Sequence, residues 1–191
     1  LVEELRPEKA DILPSEREIL LQVGGSEVIV SYNTLPESVE SRLARACAKG
    51  IVNGPVKDEL ARRLSGLPDT IIAMRDESGK RLLLVDYKYS RSYSYLVQAR
   101  FKALAYLYEF DANCVAIITP TPGEAGDADE EVEEQRGFYD AIRAYGGAEI
   151  RINSDGKIFA IVYVDPRRES VSSALKALRA LVRLACQPGS R

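Results

Sequence analysis

No histidine occurs anywhere in the chain, and its three cysteines, Cys47, Cys114 and Cys186, stand far apart with no CxxC among them. The first absence removes histidine zinc sites, histidine general bases and the Ser-His-Asp arrangement. Each cysteine lies in an apolar stretch, where a thiol behaves as a small buried hydrophobe, so none is expected to do redox or metal chemistry. Neither GxxxxGK[ST] nor GxGxxG is present, which leaves P-loop nucleotide hydrolysis and dinucleotide binding without support. No apolar run approaches the roughly eighteen residues of a membrane span, and LVEELRPEK at the start lacks the basic and apolar regions of a signal peptide. A cytoplasmic location is expected, with no membrane partner. The chain opens on Leu1 rather than methionine, which points to a missing N-terminal region.

What the chain does contain suits a soluble globular protein: 191 residues, 46% hydrophobic and 29% charged, enough for one domain with a modest extension. The net charge of −3 argues against an indiscriminate nucleic-acid binder, but it is unevenly spread. Residues 39–110 hold 13 basic and 8 acidic side chains, whereas 111–150 hold 2 basic and 10 acidic. A basic central stretch points toward a polyanionic partner, beside the plainer reading of a mixed solvated surface.

The apolar patterning predicts a β-hairpin over 18–33 about Gly24-Gly25-Ser26, with a helix opening near Ser15 as the alternative. PESVESRLARACAKG reads as a helix with Val39, Leu43, Ala46 and Cys47 on one face, and GPVKDELARRLSG as a second short helix. Strands are expected at 69–75 and 81–87 about a turn at 77–79. A helix at 93–109 follows, its apolar face including Leu96, Val97, Phe101, Leu104 and Leu107 or Tyr108, and then an inner parallel strand at 114–119. An acidic loop leads into a helix at 130–145, a hairpin turns about Asp155-Gly156, and an amphipathic helix closes the chain at 169–186. The order predicts an α/β domain, a mixed β-sheet flanked by helices on both faces.

One stretch carries the chemistry. LLLVDYKYS runs a buried strand straight into Asp86 and Lys88, which lie two apart and so project from one face about 6.6 Å apart, while Tyr87 points the other way. Asp69, after Pro68, opens the preceding strand, and it and Asp86 lie symmetrically about a centre near 77.5, within the turn, so antiparallel pairing sets the two carboxylates side by side. Two neighbouring carboxylates repel unless a proton or cation intervenes, and an oxygen-rich site without imidazole or thiolate suits Mg²⁺ or Mn²⁺. With a lysine alongside, metal-assisted phosphodiester hydrolysis is the matching chemistry. The bland alternative is a solvated ion pair at a strand end. The triplet itself discriminates nothing, since Asp155-Gly156-Lys157 repeats it at a hairpin tip; the apolar strand before, Pro68-Asp69 at pairing distance and the helix after are what single out the first.

Pro68-Asp69 followed after a hairpin by Asp86-Tyr87-Lys88 resembles the PD-(D/E)XK nuclease superfamily, most closely its RecB-like group. The resemblance covers residues 37 to about 119 and implies a restriction-endonuclease-like αβββαβ core, to which a C-terminal hairpin and helix are added, with 1–36 as an N-terminal hairpin extension and 37–191 as the nuclease-like domain. It implies Asp69, Asp86, the Tyr87 carbonyl and Glu40 as ligands of Mg²⁺ or Mn²⁺, with Glu37 and Glu59 as substitutes for Glu40, and Lys88 as the residue that positions water. Gln98 stands where that group places a helix glutamine, but its QxxxY pattern meets Lys102 in the tyrosine's place. The cysteines are too scattered for the iron–sulfur branch of the group. DNA is then the expected partner, ahead of RNA, with Arg91, Arg100 and Lys102 as phosphate contacts. Tyr87, Tyr89, Tyr93 and Tyr95 either stack on splayed bases or are half-buried β and turn residues. A non-catalytic nucleic-acid-binding or protein-interaction module of the same fold, in a homodimer or larger assembly, is the alternative from another class.

Overall fold

Successive residues of a strand fall to opposite faces of its sheet, and in this protein that period of two sorts the strands into two cores. The computed structural model describes residues 9–12, 17–23, 25–48, 65–77, 79–123, 130–143, 147–152 and 156–164. Among them the order is β1 (Lys9–Ile12), β2 (Glu18–Val23), β3 (Ser26–Tyr32), α1 (Arg42–Ala48), β4 (Thr70–Asp76), β5 (Gly79–Tyr87), α2 (Tyr93–Glu109), β6 (Cys114–Thr119), α3 (Glu130–Arg143), β7 (Gly147–Ile152) and β8 (Lys157–Tyr163). The short helix expected at 54–66 and the closing helix at 169–186 lie outside the described residues, as do Glu59 and Cys186.

All eight strands join one mixed sheet in the order β1-β2-β3-β4-β5-β6-β8-β7. The first five form an antiparallel meander, β6 is parallel to both β5 and β8, and β7 is antiparallel to β8. Helix α2 is the crossover between the parallel strands β5 and β6. The molecule is therefore α/β. The hairpin of β2 and β3 continues into the same sheet, because β3 pairs along its length with β4.

Leu82, Leu84, Ile71, Ala73, Val115, Ile117, Phe159 and Ile161 turn to the face covered by α2 and α3, where they meet Leu96, Val97, Ala103, Leu107 and Tyr139. The opposite face gathers Leu21, Val28, Ile72, Leu83, Val85, Cys114, Ala116, Ile158 and Ala160. Among the described residues no helix contributes to this second cluster, so these residues show helices on one face of the sheet. No helix among the described residues is long and apolar enough to cross a membrane.

Several local expectations are corrected. The first helix starts at Arg42 rather than near Pro36, because Val39 N–H closes a turn onto the Pro36 carbonyl at 2.8 Å and the Ser41 hydroxyl then accepts the Ala44 N–H at 3.1 Å, an N-cap. Leu43 consequently faces solvent, while Val39 is buried. On α2, Phe101 and Tyr108 are exposed. The buried side is lined instead by Ala99, Ala103 and Tyr106 along with Leu96 and Leu107, since two alanines let the helix lie close to the sheet. The strand that completes the meander beside β4 is β3, which precedes α1 in sequence, whereas the resemblance implied three strands after the helix.

Candidate functional site

The β4–β5 ladder ends in the pair Thr70↔Val85, so the next positions outward are Asp69 and Asp86, the partners expected from the turn. Side chains directly opposite in an antiparallel pair have Cβ atoms about 4.5–5.5 Å apart. Asp69 is fixed on both sides of its strand. Its carbonyl accepts Asn33 N–H at 2.9 Å, and its Oδ2 accepts the backbone N–H of Tyr87 at 2.6 Å. Asp86 follows Leu82 and Leu84 on the helix-covered face and is 0% exposed. Tyr87 belongs to the other face, where it packs against the second cluster and its hydroxyl lies 3.5 Å from Thr70 Oγ1.

A fully buried carboxylate loses several kcal/mol of hydration unless cations replace the water. Two do so here. Lys88 pairs with Asp86 Oδ2 from the same strand end, and Lys102 reaches Oδ1 at 3.2 Å from α2. Lys88 is 8% exposed, its backbone N–H is held by the Ile118 carbonyl at 2.8 Å, and its ammonium lies 5.9 Å from the Tyr95 ring centre. Both Asp86 oxygens are thus in contact with an ammonium.

Tyr95, Gln98, Lys102, Tyr106 and Glu109 recur at three- and four-residue steps and make one flank of α2. Along this flank runs the segment leading into β4. Glu109 Oε1 accepts Gly66 N–H at 3.1 Å and the Ser41 hydroxyl at 2.6 Å, and the Tyr106 hydroxyl donates to the Leu67 carbonyl at 3.0 Å. The approach is close enough that a methyl at Gly66 would overlap the Tyr106 ring. Burial raises the Tyr106 phenol pKa above its ordinary value, Lys102 opposes the rise, and the charges of Asp86 and Asp69 both add to it.

The expected residues divide accordingly. Asp69, Asp86 and Lys88 come together, and Gln98 is exposed between Tyr95 and Lys102, whose neighbours are Lys88 and Asp86. Glu40 does not join them. It pairs with Arg45 at 3.4 Å and stands near Lys80, whose pKa burial and then Arg75 hold below its ordinary value against the opposing charge of Glu40, while Lys80 itself contacts the Ser38 carbonyl. Lys80 lies six residues before Asp86 on β5, about 20 Å away at the usual rise, so Glu40 sits at the wrong end of the strand to share a cation with it. Glu37, one residue before Ser38, is exposed beside it. Arg91 is exposed on the loop above Lys88, with its carbonyl accepting Gly123 N–H at 3.1 Å. Arg100 stacks on Phe101 with 4.6 Å to the ring centre, and lies two residues from Lys102, so the two leave α2 on nearly opposite sides. Of the four tyrosines, Tyr93 is buried and bonded to Asp140, Tyr87 is packed, and Tyr89 is 85% exposed.

Lys102 and Tyr106 are the residues whose place the sequence reading missed. Lys102 was expected on phosphate and lies on Asp86; the four-residue step from Gln98 was the available signal, because it puts both side chains on one helix flank.

Mg²⁺ takes one or two protein carboxylates and completes its shell with water and phosphate oxygens. Asp69 and Asp86, one step beyond the end of the β4–β5 ladder, fit that mode. Among the described residues no group of three or more His, Cys, Asp or Glu side chains is placed to hold a metal, so the fit is to a two-carboxylate site and not to the three-carboxylate set that included Glu40. Compared with protein-family models, curated proteins and solved structures, the chain gives no match to any of them.

Proposed function

We propose that this chain is a metal-dependent nuclease of the PD-(D/E)XK type, RecB-like in its helix glutamine, which hydrolyses phosphodiester bonds of DNA rather than RNA. The observation that supports the reading most directly is the meeting of Asp69, fully buried Asp86 and Lys88 at the carboxyl end of β5. A solvated ion pair at a strand end would expose its carboxylate; this one is enclosed by a strand partner, a helix and two ammonium groups.

Asp69, Asp86 and the Tyr87 carbonyl are the residues that would hold Mg²⁺ or Mn²⁺, which when bound supplies an acidified water and offsets phosphate charge. Lys88 donates to the attacking water and to the charge that develops on the phosphoryl oxygens, from a position fixed by Asp86 and Tyr95. Asp69 keeps its orientation through the Tyr87 N–H. Gln98 lies on the flank of α2 beside the lysines, within reach of a substrate lying across them. Arg91 meets a neighbouring phosphate, and exposed Tyr89 offers its ring to an unpaired base.

A second reading, the same fold as a non-catalytic binding module, draws on one observation: Lys88 and Lys102 both pair with Asp86 without any added cation. Labelled single-stranded, duplex and branched DNA incubated with and without Mg²⁺ or Mn²⁺ separates the two. The nuclease reading expects metal-dependent cleavage, lost in Asp86→Asn and lowered about 10²-fold or more in Lys88→Met on the scale of one transition-state charge contact. It also expects DNA binding to strengthen with Ca²⁺. No cleavage of any substrate, with binding indifferent to Ca²⁺ and equal Mn²⁺ affinity in unmodified protein and Asp86→Asn, overturns it in favour of the module.

A further inference from the structure

The two lysines on Asp86 are not equivalent. Lys88 is almost wholly enclosed, and its backbone is tied to β6. The Lys102 side chain is 48% exposed, its contact with Oδ1 is 3.2 Å, and its ammonium already lies 5.2 Å from the Tyr106 ring centre, a partner it keeps when it leaves Asp86. With both ammonium groups in place the four charges at the site cancel. A divalent cation adds two positive charges, of which a single phosphodiester offsets one, so the cation is held better if one ammonium withdraws. Lys102 is the one with a flexible four-carbon stem, an open side and an alternative partner.

From this geometry we infer that Lys102 is a tethered counter-ion that occupies the cation's place on Asp86 Oδ1 and swings off it, staying against Tyr106, when a divalent metal binds, so that it sets the metal concentration at which the site fills. The inference rests on the nuclease reading for its metal and goes beyond it in naming a residue of this chain that competes with that metal. It also gives the departure from QxxxY a physical role: a cation stands where the group has a phenol, and it holds the carboxylate occupied until metal arrives.

Calorimetric titration of Mn²⁺ into the unmodified protein, Lys102→Met and Lys102→Gln tests it without reference to cleavage. Both variants keep a flexible stem at a half-exposed helix position, and thermal melting without metal reports whether they fold. The expected result is Mn²⁺ binding about ten-fold or more tighter in both variants than in the unmodified protein, because a like charge near 4 Å has been removed, together with a lower metal-free melting temperature that Mn²⁺ restores. A purely structural counter-ion would lower the melting temperature and leave Mn²⁺ affinity unchanged or weaker. That outcome overturns the latch while the metal site stands. Absence of Mn²⁺ binding in all three proteins overturns the latch and the nuclease reading together, and binding by the unmodified protein alone overturns the latch only.

Discussion

Asp69 is held from two strands at once: Asn33 N–H donates to its carbonyl at 2.9 Å, and Tyr87 N–H donates to its Oδ2 at 2.6 Å. The side chain therefore closes the ladder where β4 begins, and its charge and its hydrogen bond can be separated by mutation. Asp69→Asn keeps an acceptor for Tyr87 N–H, whereas Asp69→Ala leaves that N–H without it. Urea denaturation is expected to find Asp69→Asn close to the unmodified protein and Asp69→Ala less stable by about 1–3 kcal/mol. If the proposed site is correct, both lose Mn²⁺ binding; equal stability of the two variants would refute the closing role.

Removing Asp86 should be far more damaging to the fold than removing a surface carboxylate, because it strands the Lys88 ammonium at 8% exposure. Asp86→Leu is expected to cost about 3–5 kcal/mol, and the double variant Asp86→Leu/Lys88→Met to cost less than the sum of the singles. Denaturation of the four proteins of this cycle gives the coupling directly. Additive losses would mean that the pair is not buried as described.

Gly66 is needed for space rather than for backbone freedom. Alanine there overlaps the Tyr106 ring, which is buried and bonded through its hydroxyl to Leu67. Gly66→Ala is expected to lose about 1–3 kcal/mol as an overpacked position, and Gly66→Ala/Tyr106→Leu to recover part of it. A Gly66→Ala variant as stable as the unmodified protein would contradict the close approach.

Asp111 predicts an acid transition away from the site. Its φ of 52° places it in the left-handed position after α2, where Asn is also tolerated. Its Oδ1 accepts from Lys157 at 2.8 Å and its Oδ2 pairs with Arg42 at 2.8 Å. The Lys157 hydrogen bond, outweighing burial and aided by both cations, holds the carboxyl below its ordinary 3.8. A depressed folded-state value contributes stability above the unfolded pKa, lost as pH falls through the folded one. The melting-temperature gap between the unmodified protein and Asp111→Asn should thus be constant above about pH 5 and narrow below about pH 4. The carboxylate is more than half exposed, so the gap should be small and shrink with salt.

The sequence made the β4–β5 register legible because a tight turn fixes it and a slip by one residue would put Asp86 among the apolar residues of the other face. Helix 93–109 and strand 114–119 were readable for a related reason: long periodic or continuously apolar segments leave little choice of state. Glu40 was not readable, since nothing local tells which end of a strand a separate helix will approach; that was decided by Ser41 and Glu109, 68 residues apart. Phe101 was misassigned because hydrophobicity says that a ring prefers burial but not that two alanines will take the close-packed side. Lys102 was visible as a charge and not as a partner, because its significance depends on a carboxylate 16 residues earlier that only the crossover brings beneath it.

Every candidate site residue that the structure brings together falls between Gly66 and Tyr106, and the contacts among them span short stretches of chain: 18 residues for Asp69 and Tyr87, 16 for Asp86 and Lys102. Contacts of small sequence separation need little loop closure and form early in folding. The contacts that join the site residues to one another are therefore local, while Asn33 and the Ile118 carbonyl tie them to the rest of the sheet. Rejoining the termini and reopening the chain anywhere outside that interval would leave the whole constellation on one uninterrupted piece of polypeptide.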